Sequence, residues 1–484
     1  MLLIGIVGEI GAGKTSLLLK LADWWRSQGK APEGFVAIAG ERLPGTRGAA
    51  RYDLLMLKDS VRYPYALRDE SARLPYKFDE ATSSALIRWA DGLAAGVPPS
   101  LVIIDEFGPR EAAGGGHASL WSRIIKAKPE IVAVAVRKGL EENIEARLGS
   151  KFEVLINVDS DDAWESVRQA CVEHSDWMRV GLYGGGAGGF EASVGAILHG
   201  GQIPLRGLFM SSMQSVIMTY AADGMGKRRR VVWVAVIAAS LKALSPAGNR
   251  VRPMLAITVQ GFLYSLAVTM LGWNFVGVAV GGFLIGAWSA VQGVALQYLF
   301  VGNELLRAYD TIIQWLVEKL DLHAVAFLQV VAGWTLLCGL VSAVLTLLAW
   351  KHRRQMPGRL RDLVFRKPKG VVVEWRPVSI AGALRRGLRD IARPLFWLPV
   401  LIVIGVMLAS GSSFESIVWI VVRAAVVGFV LFSLVRSFDL RRFIAWLQGR
   451  GHWGPALALQ RAMDRMHSPD GDPIDPKRSS SSNP

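Results

Sequence analysis

From residue 254 to residue 302 the chain runs for 49 residues without a charged side chain. At 1.5 Å per helical residue that length holds two crossings of a hydrocarbon core about 30 Å thick, divided near Gly272, Trp273 and Asn274. Inside lipid every backbone N–H and C=O must find its partner within the chain, so the stretch is expected as helices. Residues 324–350 form another uncharged run, and residues 395–410 and 416–435 form a further pair joined by a short turn. Upstream, residues 192–222 are apolar but interrupted by Pro204 and Arg206, and residues 231–241 are too few for an ordinary span. These are expected as short or broken helices, buried in protein or lining a cavity. Three of them with the five clear spans give an expected total of eight.

The charges are divided unevenly between the two ends of the chain. Residues 1–180 hold 23 Lys and Arg against 25 Asp and Glu, while the remaining residues hold 32 against 15. The basic excess therefore travels with the apolar segments, which points to topogenic charge rather than a nucleic-acid face. Residues 351–393 carry 13 basic and three acidic side chains. They are expected on the cytoplasmic side, together with residues 226–230 and 436–442. An even number of spans then keeps both ends of the chain inside; eight satisfies this, as would six. The expected location is a bacterial-type inner (cell) membrane, multi-pass, with the lipid bilayer as a partner and no nucleic acid. Two cysteines, Cys171 and Cys338, give neither a metal spacing nor a disulfide framework.

The amino-terminal end is of another kind. Residues 1–7 are an apolar run of strand length without a basic leader, expected as the first strand of a cytoplasmic domain. Gly8, Glu9, Ile10, Gly11, Ala12, Gly13, Lys14, Thr15 and Ser16 follow directly, and fit the phosphate-loop spacing G-x-x-x-x-G-K-[ST]. The glycines let backbone N–H groups approach phosphate oxygens. Lys14 supplies a point charge for the outer phosphates, and the Thr15 hydroxyl is a ligand for Mg2+. Residues 17–25 read as a helix whose N-terminus faces the anion. Residues 101–106 form an apolar run ending in Asp105 and Glu106, the pattern of a Walker B strand. There Asp105 would hold the metal shell and Glu106 would orient or deprotonate the attacking water. Alternation of β-rich runs at 35–39, 101–104, 131–136 and 154–158 with helical stretches gives an α/β P-loop domain, three-layered with a mainly parallel sheet, over residues 1–178.

This stretch resembles the THEP1-type nucleoside-triphosphatase (P-loop NTPase) family over residues 1–172. Asp105, Glu106, Phe107, Gly108 and Glu111 match the family's D-E-[IVF]-G-x-x-E, and residues 134–137 match an apolar strand ending in arginine. Tyr52, Asp53 and Asn157 fall in corresponding segments, whereas Arg51 stands where a glycine is expected. The resemblance implies hydrolysis of ATP or another NTP to diphosphate and phosphate with weak base selection. It makes Arg137 a candidate for stabilising transition-state charge, beside the catalytic candidates Lys14 and Glu106. Glu111 is either a supporting group or a solvent-facing one.

Six glycines in residues 181–189 suit a flexible tether, placed at residues 179–190. Residues 304–320 have an amphipathic pattern, expected to pack on the bundle. Residues 437–467 are expected as basic amphipathic helices at the cytoplasmic face, and residues 468–484 as a disordered tail. Intramembrane Arg423, His199, Gln202 and Arg206 mark either a solute or ion path, or pairing inside the bundle or snorkelling to the interface.

Two other functions remain open. One is an NTP-driven or NTP-gated transporter of a small solute, with a homo-oligomer or an additional subunit completing the assembly. The broken helices faintly resemble the integral components of energy-coupling-factor vitamin transporters. The other is a P-loop small-molecule kinase, with Arg62, Arg68 and Arg73 as basic lid residues.

Overall fold

The computed structural model describes residues 1–41, 49–68, 76–200, 205–242, 251–319, 327–353, 356–365 and 379–467. The chain forms two compact units that meet in sequence between His174 and Ser175, close to the expected boundary at 178.

The first unit is built on strands β1 (Leu2–Gly8), β2 (Glu33–Ala39), β3 (Arg51–Met56), β4 (Arg62–Arg68), β5 (Tyr76–Phe78), β6 (Leu101–Phe107), β7 (Ile131–Arg137) and β8 (Val154–Asn157). They form one sheet in the order β5-β4-β3-β2-β6-β7-β1-β8. β2, β6, β7, β1 and β8 are parallel. β3, β4 and β5 extend the sheet antiparallel. The sheet is therefore mixed: four of its seven pairings are parallel, in line with the expected mainly parallel sheet, and the three antiparallel ones are an addition to it. The reason is connection length, since a parallel crossover needs a dozen residues or more and only residues 57–61 separate β3 from β4. The central parallel strands β1, β6 and β7 are buried on both faces and rich in Val and Ile, as double coverage requires, whereas β8 at the edge leaves Leu155 exposed.

Helices cover both faces. On one side lie α1 (Lys14–Ser27), through Leu18, Leu21 and Trp25, and the first turns of α6 (Ala163–Gly200), through Ala163, Val167 and Cys171. On the other lie α2 (Glu80–Ala95), α4 (Trp121–Lys126) and α5 (Glu141–Leu148), with the short α3 (Pro109–Ala112) directly after β6. The three-layer α/β arrangement stands.

The second unit is helical: α7 (Arg206–Ala222), α8 (Val232–Lys242), α9 (Val251–Leu271), α10 (Phe275–Val301), α11 (Glu304–Lys319), α12 (Phe327–Lys351), α13 (Gly358–Phe365), α14 (Ile380–Ile391), α15 (Pro394–Ala409), α16 (Phe414–Ser437), α17 (Leu440–Gly449) and α18 (Trp453–His467). Among the described residues four helices are long and apolar enough to cross a membrane, Pro253–Leu271, Phe275–Val301, Phe327–Lys351 and Phe414–Ser437. A fifth arises if α14 and α15, bent by 44°, count as one span. The expected eight, about six of them between 191 and 350, are not reached on length and composition. The later pair at 394–436 is one full-length helix and one of 16 residues. α7 has 17 residues with a buried row of serines, and α8 has 11.

Residues 181–189 are not a tether. They lie inside α6, and their glycines are contact points rather than swivels. A Cβ on Gly181 would stand 2.7 Å from Ala458 O, one on Gly184 2.8 Å from Ile237, and one on Gly185 3.2 Å from the Ala462 Cα. The absent side chains let α8 and α18 approach the α6 backbone, the packing that small residues allow in membrane bundles. Thus α18 does not merely lie at a surface. Ala456, Ala458, Leu459 and Ala462 are buried in the same core as Val180 and Ala187. α11 packs as expected, though through Leu305 and Ala308, and leaves Trp315 and Leu316 exposed.

The direction of each helix follows from contacts at the ends. Asp176 accepts hydrogen bonds from Gly226 N–H and Lys227 N–H and pairs with Arg230 at 3.0 Å. Asp223 pairs with Arg353 at 3.4 Å, and the Arg228 guanidinium lies 5.4 Å from the Trp273 ring centre. Trp177 abuts Gly454. One end of the bundle thus gathers the ends of α7 and α12, the α9–α10 turn and the start of α18. The basic residues 227–230 and 351–353 lie at that end. α10 leaves it and α12 returns to it. Away from it, Arg423 of α16 lies against Gly302, just beyond α10. Arg206 is exposed at the start of α7; the His199 side chain, Gln202 and the 468–484 tail lie outside the described residues.

Candidate functional site

The C-terminal edge of the parallel strands brings the loop after β1, the end of β6 and the end of β7 side by side. Gly8 is in register with Arg137, and β7 lies between β1 and β6. In the loop, Gly11 and Gly13 adopt positive φ of 81° and 98°, a conformation that side chains with a Cβ resist. Gly8 has a different reason: a Cβ there would stand 2.5 Å from Val158. Gly13 caps α1 and offers no side chain to its first turn, so the first-turn N–H groups stay open to an external acceptor.

Lys14 folds back over this loop and donates from Nζ to Gly8 O at 2.8 Å and Glu9 O at 2.7 Å. Partial burial pushes its pKa down, against the pull of Asp105, Glu106 and Glu9, and the Arg137 charge adds to the lowering. Arg137 is therefore within electrostatic reach of Lys14, half-buried at the strand end.

Thr15 and Asp105, 90 residues apart in sequence, meet: the Thr15 hydroxyl donates to Asp105 Oδ2 at 2.7 Å. The same oxygen accepts Ala37 N–H at 3.1 Å, and Oδ1 accepts Glu106 N–H at 2.9 Å. Asp105 is fully buried, and desolvation raises its pKa against the effect of these bonds. A hydroxyl and a carboxylate make a hard oxygen pair that suits Mg2+, which is usually held by one or two carboxylates together with substrate phosphates.

Glu106 departs from the strand. Its φ is +64°, and the β6–β7 register slips between Ile104 and Phe107, so the residue sits in a bulge. Bulges re-aim side chains beside active sites. The residue keeps solvent-exposed area, yet protein atoms surround its carboxyl closely enough to desolvate it. Desolvation there, reinforced by Asp105 and Glu111, raises its pKa to about 8. A carboxyl with a pKa near neutrality is suited to proton transfer.

Glu111 does not face solvent; it is buried and accepts Gly108 N–H at 3.0 Å and His117 N–H at 3.3 Å. It pins the turn that follows Glu106. His117 is buried, stacked on Tyr65 at 5.2 Å and close to Phe35 at 4.7 Å. Burial first, and the Arg110 charge second, push its pKa down to about 3. Arg110 in turn lies over the Phe78 ring at 3.7 Å. Sequence reading had no signal for His117, Tyr65 or Arg110 as a group, because their roles come from packing between distant strands.

Other expected residues lie elsewhere along the sheet. Arg51 needs no glycine conformation: it is part of β3 and pairs with Asp53 at 2.7 Å. The Tyr52 ring meets Tyr76 edge-on at 5.6 Å. Of the basic lid candidates, Arg62 is exposed on β4, Arg68 is half-buried at its end, and Arg73 lies outside the described residues. Compared with known proteins, the chain matches no family model, no curated protein and no solved structure.

Proposed function

We propose that the first unit is a Mg2+-dependent nucleoside-triphosphatase of the THEP1 type, and that the helical unit holds it at a membrane. The observation that carries this reading is the 2.7 Å hydrogen bond from Thr15 to Asp105, which joins the phosphate-loop hydroxyl to the strand carboxylate that would share a magnesium ion with it. Magnesium would neutralise charge developing on the outer phosphates. Lys14 would exchange its two loop carbonyls for phosphate oxygens, and the open amides of α1 would take others. Glu106 would accept the proton of the attacking water. Arg137, between the loop and Glu106, would meet the transition-state charge. The sequence holds no Asn-Lys-x-Asp element, which agrees with weak base selection among ATP and other triphosphates.

The test is phosphate release by the purified full-length protein. Lys14→Ala and Glu106→Gln are each expected to lower kcat by about 10²–10³, and chelation of Mg2+ to abolish it. Lys14→Ala hydrolysing as fast as the parent, or a parent that retains no nucleotide, would refute the reading.

One observation favours the transporter as second reading: α6 places Val167 and Cys171 in the core of the first unit and Val180 and Ala187 in that of the second. Stimulation of hydrolysis by a particular solute after reconstitution would support it. The basic segments at one end of the helical unit favour a cytoplasmic location for that end.

A further inference from the structure

The helical unit holds a charge pair that its apolar sequence conceals. Glu191, on α6, and Lys242, the last residue of α8, lie 3.2 Å apart and are 8% and 4% exposed. Lys242 Nζ also donates to the Glu191 backbone carbonyl at 3.3 Å. Glu191 also lines a cavity with Phe190, Met210, Ile217, Val234, Ala238 and Ile257, where Gln214 is the other polar lining residue. Gln214 Nε2 is committed to Ile257 O at 2.9 Å, which leaves its carbonyl oxygen as an acceptor. This cavity is partly open and holds about 20 Å3, room for one water-sized occupant.

Desolvating two charges costs several kcal/mol each, and an ion pair repays this only with good geometry and further hydrogen bonds. A bundle that needed only adhesion could use the hydroxyl contacts it already has, such as Thr346 to Ser215 at 2.7 Å and Thr219 with Tyr264 at 2.7 Å. Charged groups kept inside a membrane bundle mark ion and substrate sites.

We propose that Glu191, Gln214 and the adjoining cavity form a binding site for a small monovalent cation, with Lys242 as its built-in competitor. The charge count selects the valence, because one carboxylate neutralises one positive charge. No group of three acidic, His or Cys ligands stands among the described residues to favour a divalent ion. The cavity selects the size, and the Lys242 ammonium shows the chemistry that Glu191 accepts. When the cation enters, Lys242 must leave the carboxylate, so occupancy would change the contact between α6 and α8. This does not depend on the hydrolase reading.

The experiment uses the full-length protein purified in detergent and reads 22Na+ binding together with melting temperature in NaCl against choline chloride at equal ionic strength. Wild type should bind 22Na+ saturably and melt higher in NaCl. Lys242→Met, which removes the competitor, should lower the half-saturating Na+ concentration at least tenfold. If that variant folds only in NaCl, the site is confirmed by the dependence itself. Glu191→Gln/Lys242→Met, which leaves no buried charge, should fold in either salt and bind no 22Na+. The proposal is overturned if wild type and Lys242→Met are both indifferent to Na+, or if the double variant still binds it.

Discussion

Glu106 carries the sharpest residue-scale consequences. Left-handed backbone costs a residue with a Cβ about 1–2 kcal/mol, and such strain is kept where function requires it. Glu106→Gly should therefore be more stable than Glu106→Ala by about 0.5–1 kcal/mol after allowing for glycine's unfolded-state entropy. Equilibrium denaturation of the pair checks this; equal stability would mean that the bulge is unstrained.

Its carboxyl also sets a pH dependence. With a pKa near 8 the group is mostly protonated at neutral pH in the nucleotide-free protein. In the proposed role of base it would act deprotonated, so kcat/KM should rise nearly tenfold per unit up to about pH 8 and then level. The effect on stability has the opposite sign. The folded state keeps a proton that the unfolded chain releases near 4.5, so this group's contribution is full below that value and is lost as pH rises to 8. Glu106→Gln, which mimics the protonated form, should flatten that part of the melting-temperature profile. That the glycine loop, Asp105 and Glu106 come together was legible in sequence, because the motif spacing puts each at the end of an apolar strand. Glu111 and His117 were not, since what makes Glu111 a brace is a buried amide six residues away and a ring stacked from another strand.

At the scale of elements, the instructive case is the glycine run of α6. Composition cannot separate a tether from a helix face packed too closely for side chains. The distinction lies in Ile237, Ala458 and Ala462, which stand far away in sequence and themselves look unremarkable. In an exposed or flexible helix, Gly→Ala stabilises by up to about 1 kcal/mol. Here the sign should reverse. Gly181→Ala and Gly184→Ala put a Cβ within 2.7–2.8 Å of neighbouring atoms, and overpacking of this kind costs about 1–3 kcal/mol. Lowered thermal stability of the purified full-length protein checks the prediction; a neutral or stabilising result would return the segment to a tether. The antiparallel strands β3–β5 were missed for a related reason. Both parallel and antiparallel strands show β-rich runs, and only the five residues available between β3 and β4 decide between them.

For the whole molecule, the arrangement of ends makes a claim that the count of apolar helices does not. Among the described residues, four or five helices pass as spans by length and composition. Yet the contacts of Asp176, Asp223, Trp273 and Gly454 place the basic segments 227–230 and 351–353 at one end. A charge bias of that kind sets orientation in a bilayer. The α9–α10 turn and the α17–α18 turn should then face the same side as those arginines, whereas the turn between α15 and α16 should face the other, because α16 runs from that turn back toward α17. Single cysteines at Asn274, Ser412 and His452, introduced after Cys171→Ala and Cys338→Ala, test this with a membrane-impermeant thiol reagent. In right-side-out vesicles Ser412→Cys should label while Asn274→Cys and His452→Cys stay protected, and inside-out vesicles should reverse the pattern. Asn274→Cys and Ser412→Cys labelling from the same side would break the alternation.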